Sequence, residues 1–321
     1  MAQNLSIRIL DKNEYMEWDG FVKNSPQGSL FSSIMWLEMY GEPYKIFASF
    51  KGKEMVGGAA IIEDGTGKNT SPLVYFTPYQ GILYRDNGSM NISDRISLEK
   101  NIAVCLIEEL EKIYRNISLY NHWNFKDARA FYWHCYGRVG DEYVVTLRYT
   151  SVIDISDIEK AFNCMDDDTR YEIRKAEKNL IKVVQEDDFV SFDRLHDVTF
   201  KRQGIERPEH EEKLVKKIYE ALKKDGRCKI YFAKTKEGVI SASAMIIWDN
   251  KRAYYMFGAT DPETRNNGAT SLLLWTIFKE LCAQGFKEID LVGVNSPNRG
   301  RFKMGFGGAL IPYLLIQRKR S

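Results

Sequence analysis

The run YYMFGATDPETRNNGATSLLLW, residues 254 to 275, constrains this chain most. Read as a β-strand, its first part puts Tyr255, Phe257 and Ala259 on one face and Tyr254, Met256 and Gly258 on the other. Both faces are apolar, so the strand has to be covered on both sides, inside a layered α/β arrangement. A Leu-rich helix then follows, with Leu273, Ile277 and Leu281 in one stripe and Leu274 and Phe278 beside it. Between strand and helix lies Arg265-Asn266-Asn267-Gly268-Ala269-Thr270. A turn that opens a helix offers free backbone N–H groups and the positive end of the helix dipole. Gly268 allows close approach to the backbone, Ala269 and Thr270 are small, and Arg265 adds a full charge. A pyrophosphate needs these parts. A plain surface turn with a helix cap contains them too, and the hexapeptide alone leaves both readings open.

The remaining pattern alternates in the same way. In the first half SIRIL reads as a strand, Asp11 to Lys23 as a helix with Tyr15, Trp18 and Val22 on one side, and SSIMWLEMYG as a helix capped by Ser32 or Ser33 and stopped by Gly41. YKIFASFKG, EMVGGAAIIED and LVYFTPYQGILY read as strands, with a turn at Gly65 and Gly67, and a long helix covers Ser93 to Tyr114. EYVVTLRYTSVIDI supplies one or two more strands. In the second half helices run through DIEKAFNCM, DDDTRYEIRKAEKNL, FVSFDRLHDVTFKRQGI and EHEEKLVKKIYEALKKDG. Strands follow in CKIYFAKT, VISASAMIIWD and RAYYMFGAT, then the helix from 269 to 284, then FKEIDLVGV and LIPYLLIQRK. The repeated order predicts two related domains, 1–150 and 151–321, packed closely and with the last strand able to return to the first.

Composition excludes several classes. The 321 residues are 44% hydrophobic and 28% charged, as in a globular protein with a sizeable core. A net charge of +2 gives no strong field for nucleic acid. Five scattered cysteines without a C-x-x-C pair argue for a reducing compartment, and four histidines without ligand spacing argue against a structural zinc. The N-terminal MAQNLSIRILDKNEYMEWDGF has charges throughout and no apolar core of a signal peptide, and no stretch is long enough to span a membrane. A cytoplasmic location, no membrane insertion and no metal are the expectation.

The order strand, R-x-x-G-x-small, helix, strand resembles the coenzyme A site of the GNAT acyltransferase superfamily, whose usual form is [QR]-x-x-G-x-[GA]. This chain departs from it at Thr270. Downstream, DLVGVNSPNRGRFKMGFGGALIPY carries Asp290 on a strand and then R-F-K-x-G-F-G-G. That pattern is similar to the Fem family of peptidoglycan aminoacyltransferases, whose chains are two GNAT-like domains in tandem. DDDTRYEIRKAEK, LHDVTFKRQGI and SLFSSIMWLEMYG are similar to further family segments. The resemblance implies an α/β fold of the α+β type: two tandem GNAT-like domains, each a mixed, mostly antiparallel sheet flanked by helices, with a cleft between them. It implies a silent first domain that walls the acceptor cleft, and a second domain that holds acyl-CoA.

Roles follow residue by residue. Asn266, Asn267, Gly268, Ala269, Thr270 and Arg265, with Phe257 and Gly258 of the strand, are the expected coenzyme A contacts. Lys303, in a Gly-rich aromatic loop, carries over the family's lysine at the acceptor site, where it would hold an anionic acceptor or stabilise transition-state charge. Asp290 sits mid-strand, where a carboxylate is costly unless paired or used. Orienting the amine, acting as base, and pairing with Arg174, Arg301 or Lys303 are all open to it. Tyr79, Gln80, His196, Arg202, Gln203, Tyr254, Tyr255 and Arg301 are the remaining acceptor-side candidates. An oxyanion donor is expected from a backbone N–H between Met256 and Ala259. The expected activity is acyl-CoA-dependent N-acylation of an amino sugar, nucleotide-linked and destined for a surface polysaccharide. The alternatives are transfer from aminoacyl-tRNA to a peptidoglycan precursor and a catalytically silent binding module.

Overall fold

The computed structural model describes residues 5–72, 74–138, 140–202, 204, 206–264 and 266–319, the side chain of Arg202 excepted. The chain divides into two compact units, residues 1–148 with 312–321, and residues 149–311.

In the first unit β1 (Leu5–Ile9) precedes α1 (Tyr15–Asn24), which buries Trp18, Phe21 and Val22. α2 (Ile34–Tyr40) begins where the Ser33 hydroxyl accepts the N–H of Trp36 at 3.3 Å and ends at Gly41, with φ of 82°. β2 (Tyr44–Lys51), β3 (Glu54–Ile62) and β4 (Ile82–Tyr84) complete an antiparallel sheet in the order β1-β2-β3-β4. The expected strand over LVYFTPYQGILY shrinks to β4. Pro72 and Pro78 donate no N–H to a ladder, Phe76 turns left-handed with φ of 58°, and Leu73 lies outside the described residues. α3 (Ile92–Ile113) lays Leu98, Ile102, Leu106 and Leu110 in a common core with Phe47, Val56 and Ala59. β5 (Ile117–Asn121) and α4 (Arg129–His134) follow; their short patterns did not stand out in the sequence.

β6 (Val144–Asp154) is a single strand that runs into the second unit. α5 (Ile158–Cys164), α6 (Asp167–Lys178), β7 (Lys182–Gln185), α7 (Phe189–Arg202) and α8 (Glu209–Lys224) come next. The acidic first turn of α6 is capped by Asp166, whose carboxylate accepts the N–H of Thr169 at 2.7 Å. β8 (Cys228–Lys234), β9 (Ile240–Trp248), β10 (Ala253–Thr260), α9 (Ala269–Ala283), β11 (Glu288–Asp290) and α10 (Pro297–Met304) complete it. Its strands stand in the order β6-β11-β10-β9-β8-β7, with β10 and β11 parallel and the other described pairs antiparallel. α6 and α9 cover one face, sharing a core with Tyr231, Ala244 and Tyr255. α7 lies on β9 and β10, and α8 on β8, from the other side. The strand in the middle is thus covered on both faces, as its two apolar sides require. β12 (Ala309–Arg318) ends the fold and pairs antiparallel with β5 from Leu314 to Arg318 in the first unit.

Candidate active site

The site is built around a place where two strands part. β10 and β11 are in parallel register only at Ala253 with Ile289 and Tyr254 with Asp290. β11 stops at Asp290, while β10 continues to Thr260. Beyond Tyr254 the edge of β10 that faced β11 therefore has no strand partner among the described residues. On the opposite edge, the ladder to β9 slips between Tyr255 and Phe257. This bulge takes Met256 out of register and resets the alternation. Tyr255 points into the α9 core, whereas Phe257 meets Phe192 and His196 of α7, with ring centroids 6.5 and 5.6 Å away. The expectation that Tyr255, Phe257 and Ala259 share a face fails here, because a two-residue period cannot register an inserted residue.

Two strand residues expected to face ligands serve the fold. Tyr254 is fully buried, and its hydroxyl donates to Asp249 Oδ2 at 2.7 Å beneath the β9–β10 turn. Gly258 is small because of Tyr255: a Cβ there would lie 1.7 Å from the tyrosine hydroxyl.

The turn before α9 divides its groups in the same manner. Gly268 has φ of 78° and caps the helix, and a Cβ on it would stand 2.1 Å from the carbonyl oxygen of Glu172 on α6. The close approach expected for a ligand at Gly268 is occupied by α6. Asn267 donates to Ser241 Oγ at 3.1 Å and accepts the N–H of Ala269 at 2.9 Å, so one donor of the first turn is used internally. Ala269 is buried in the core. The Thr270 hydroxyl meets that of Thr260 on β10 at 2.9 Å, which accounts for a threonine at this place. The N–H groups of Thr270 and Ser271 have no partner among the described residues, as is usual for donors in the first turn of a helix. Asn266 is exposed beside them, and Arg265 lies outside the described residues.

At the other end of the gap, Asp290 is fully buried. Its Oδ1 accepts the Thr150 hydroxyl at 2.5 Å and the Val292 N–H at 2.8 Å. Val292 and Gly293 both have positive φ, 48° and 71°. Their carbonyls accept from Lys303 Nζ at 2.6 and 3.2 Å, and the ammonium also lies 5.6 Å from the centre of the Tyr255 ring. Burial lowers Lys303 to about 8, with Asp290 pulling it back up and Arg299 pushing it down. Lys303 sits on the last turn of α10 and not in a loop. Pro297 starts that helix in the one place a proline is tolerated, so a segment composed like a turn becomes helical. Arg301, on the same turn, is exposed. The glycines after it are fixed by close packing: Cβ atoms at Gly305, Gly307 and Gly308 would stand 2.5, 2.1 and 2.3 Å from Thr169 Oγ1, the Cys164 carbonyl and Ser151 Oγ.

His196 lies under Phe257 and stacks on Phe200. Its Nδ1 is buried without a partner, and burial, with Arg207 nearby, lowers it to about 4. It is neutral near pH 7 and packs as an aromatic ring. The side chain of Arg202 and all of Gln203 lie outside the described residues. In the first unit, Tyr79 is buried among Phe31, Trp123 and Tyr313, and Gln80 donates to the Phe31 carbonyl at 3.4 Å. TPYQG is therefore a packed corner, with Tyr79 and Gln80 both buried. The grouping of Glu111, His134 and Cys135 there offers metal-type atoms, but Glu111 already accepts from Tyr143 at 2.9 Å and pairs with Arg318. Sequence reading missed Thr150 and the Val292–Gly293 turn. Thr150 had no signal, being one β-branched residue in a strand rich in them; Gly293, three residues after Asp290, was the available hint.

Residues 167–304 match the model of an acetyltransferase (GNAT) domain. The chain carries a GNAT acetyltransferase domain. The protein is thereby an acyltransferase, and α6, α9, the β10–β11 gap and α10 all lie inside its GNAT domain. Its fold is shared over nearly the whole chain with FemX, at 16% identity and a TM-score of 0.61, covering 97% of this chain and 96% of that one. It is shared with a tandem GNAT protein from the clavulanic acid biosynthesis pathway, at 9% identity and 0.54, covering 98% of each. L-PGS from Bacillus licheniformis gives 12% and 0.52, covering 97% of this chain and 93% of that one. At such identities the likeness is one of fold. Among curated proteins none matches this sequence. No helix among the described residues is long and apolar enough to cross a membrane.

Proposed function

We propose that the protein is an acyl-CoA-dependent N-acyltransferase whose acceptor is the amino group of a nucleotide-linked amino sugar, used for a surface polysaccharide. The observation that carries this reading is the edge of β10 beyond Tyr254, which has no strand partner among the described residues, with the N–H groups of Thr270 and Ser271, likewise unpartnered among them, at the start of α9 on one side and Lys303 on the other. The coenzyme A pyrophosphate would lie on those N–H groups with Asn266 beside it, and Arg265 is the cation proposed for it. Acyl-CoA supplies an activated thioester carbonyl; the protein has to align an amine with it and stabilise the oxyanion. The oxyanion donor would be a main-chain N–H between Met256 and Ala259, on the strand whose ladder to β9 is reset at Met256. Asp290, spent on the Val292 turn, acts through that turn and not on substrate. Arg301 is an exposed cation suited to an acceptor phosphate.

A second reading, aminoacyl transfer onto a peptidoglycan precursor, is favoured by the R-F-K-x-G-F-G-G segment and disfavoured by a net charge of only +2, little for gripping tRNA. Thermal shift separates the two. Acetyl-CoA at about 100 times its Kd should stabilise the protein by about 2.7 kcal/mol. No response to any acyl-CoA, together with stabilisation by a UDP-muramoyl-peptide, would replace the first reading with the second. No response to either would favour a silent module. Arg265→Ala should raise the acyl-CoA KM with the melting temperature unchanged; an unchanged KM removes the arginine from the donor site.

A further inference from the structure

We propose that the Val292–Gly293 turn presents Lys303 as the proton acceptor of the transfer, and that Thr150 is the residue that positions it. This rests on the acyltransfer reading and names a base for it. The starting observation is strain. A β-branched residue in the left-handed region, as Val292 is, persists only where its surroundings over-determine it. Here they do. The Thr150 hydroxyl donates to Asp290 Oδ1 at 2.5 Å and accepts the Gly293 N–H at 3.2 Å, while the same Oδ1 takes the Val292 N–H at 2.8 Å. On each side of the turn the main chain is tied to β6, with Leu291 N–H to the Ser151 carbonyl at 2.9 Å and Val294 N–H to the Tyr149 carbonyl at 3.0 Å. The N–H groups of the turn are thus consumed by Asp290 and Thr150, and its carbonyls are left for Lys303.

That choice of partner matters. An ammonium has three donors, and the two carbonyls take two of them. When Lys303 loses its proton, both bonds survive and the third position becomes a lone pair in the same direction. A carboxylate partner would have fixed the charged form instead. The groups facing Lys303 are Asp290, which favours the charge, Arg299, which opposes it, and the Tyr255 ring, which takes no proton. Burial outweighs Asp290, so the nitrogen is lowered to about 8, where a neutral fraction is available to accept a proton.

The protons balance as follows. The acceptor arrives as an ammonium and gives one proton to Lys303 Nζ. The freed lone pair forms the C–N bond at the thioester carbonyl carbon while the C–O π pair moves to oxygen. That pair returns as the C–S bond breaks, leaving a thiolate. The thiolate takes the second proton that the new amide nitrogen sheds, and Lys303 releases its own to water.

Competitive acetic anhydride labelling across pH, read by mass spectrometry, tests this without any donor. Lys303 in the wild type should become reactive with a midpoint near 8. In Thr150→Val the midpoint should rise by about one unit or more toward the ordinary lysine value, about 10.4, and Thr150→Ser should restore it. The second readout is acetyl transfer from acetyl-CoA to UDP-glucosamine. Its acid limb should lie at the same pH and move in the same way, and Lys303→Ala should lower kcat about 100-fold or more. Lys303 labelling like the other lysines, a midpoint unmoved in Thr150→Val, or a pH profile in Lys303→Ala that is the wild-type curve scaled down would each overturn the proposal. If the wild type transfers nothing from any acyl-CoA, the acyltransfer reading fails, and the labelling midpoints alone decide whether the turn poises Lys303.

Discussion

At the scale of single residues, function and packing compete for the same side chains. Gly268 and Gly258 look like openings for a ligand, yet each accommodates a neighbour of its own chain, Glu172 in one case and Tyr255 in the other. Thr270, the departure from the family pattern, is explained by its bond to Thr260. His196 gives a prediction about pH. Its folded-state value, about 4, lies below the ordinary 6.5, so between those values the unfolded chain binds more protons. Its contribution is present above pH 6.5 and lost as pH falls toward 4, on the order of 3 kcal/mol in all. His196→Phe should flatten the dependence of stability on pH in that window, because it removes the titrating ring and gives up only the 3.6 Å approach of Nε2 to Glu211 Oε1, Nδ1 having no partner. A denaturation series from pH 4 to 7 with the same slope for both proteins would show that another group is responsible. Residue identity could be read from the sequence in each of these cases; what touches it could not.

At the scale of elements, periodicity served long segments well. α8 shows its Leu214, Ile218, Leu222 stripe in the sequence and buries those residues in the structure. β10 was legible as a doubly covered strand, and its bulge was not, because nothing in AYYMFGAT marks Met256 as the extra residue. α10 was misread as a loop, since Pro297, Asn298 and Gly300 weigh against a helix one by one while the proline sits where a helix begins. The segment after it then has to thread past α5. Gly307→Ala combines a φ of 74° with a Cβ 2.1 Å from the Cys164 carbonyl, and should destabilise the protein by about 1–3 kcal/mol. An unchanged melting temperature would mean that this contact relaxes freely.

For the molecule as a whole, the sequence conveyed a tandem order of elements and a last strand able to return to the first domain, but not which side chains that strand would bring to which partners, because that depends on pairings between distant segments. Arg318 is the case in point. It is almost completely buried, its Nε donates to Asp141 at 3.0 Å, and it pairs with Glu111, whose carboxyl stays low because Arg318, His134 and Tyr143 together offset the effect of burial. Arg318→Met would remove the arginine from both carboxylates and should cost about 3–5 kcal/mol. A urea titration showing less than about 1 kcal/mol of loss would put this cluster among the weak surface pairs.

The division of the chain bears on how the protein is made. Residues 149–311 are one uninterrupted stretch, so the second unit has all its parts once that stretch has left the ribosome. The first unit does not. Its β5 waits for Leu314 to Arg318, which are translated after the whole second unit, and until then a strand edge lacks its neighbour and Asp141 and Glu111 lack Arg318. The domain that begins first is completed second, and a ribosome stalled short of Pro312 would hold a finished GNAT domain beside an unfinished neighbour.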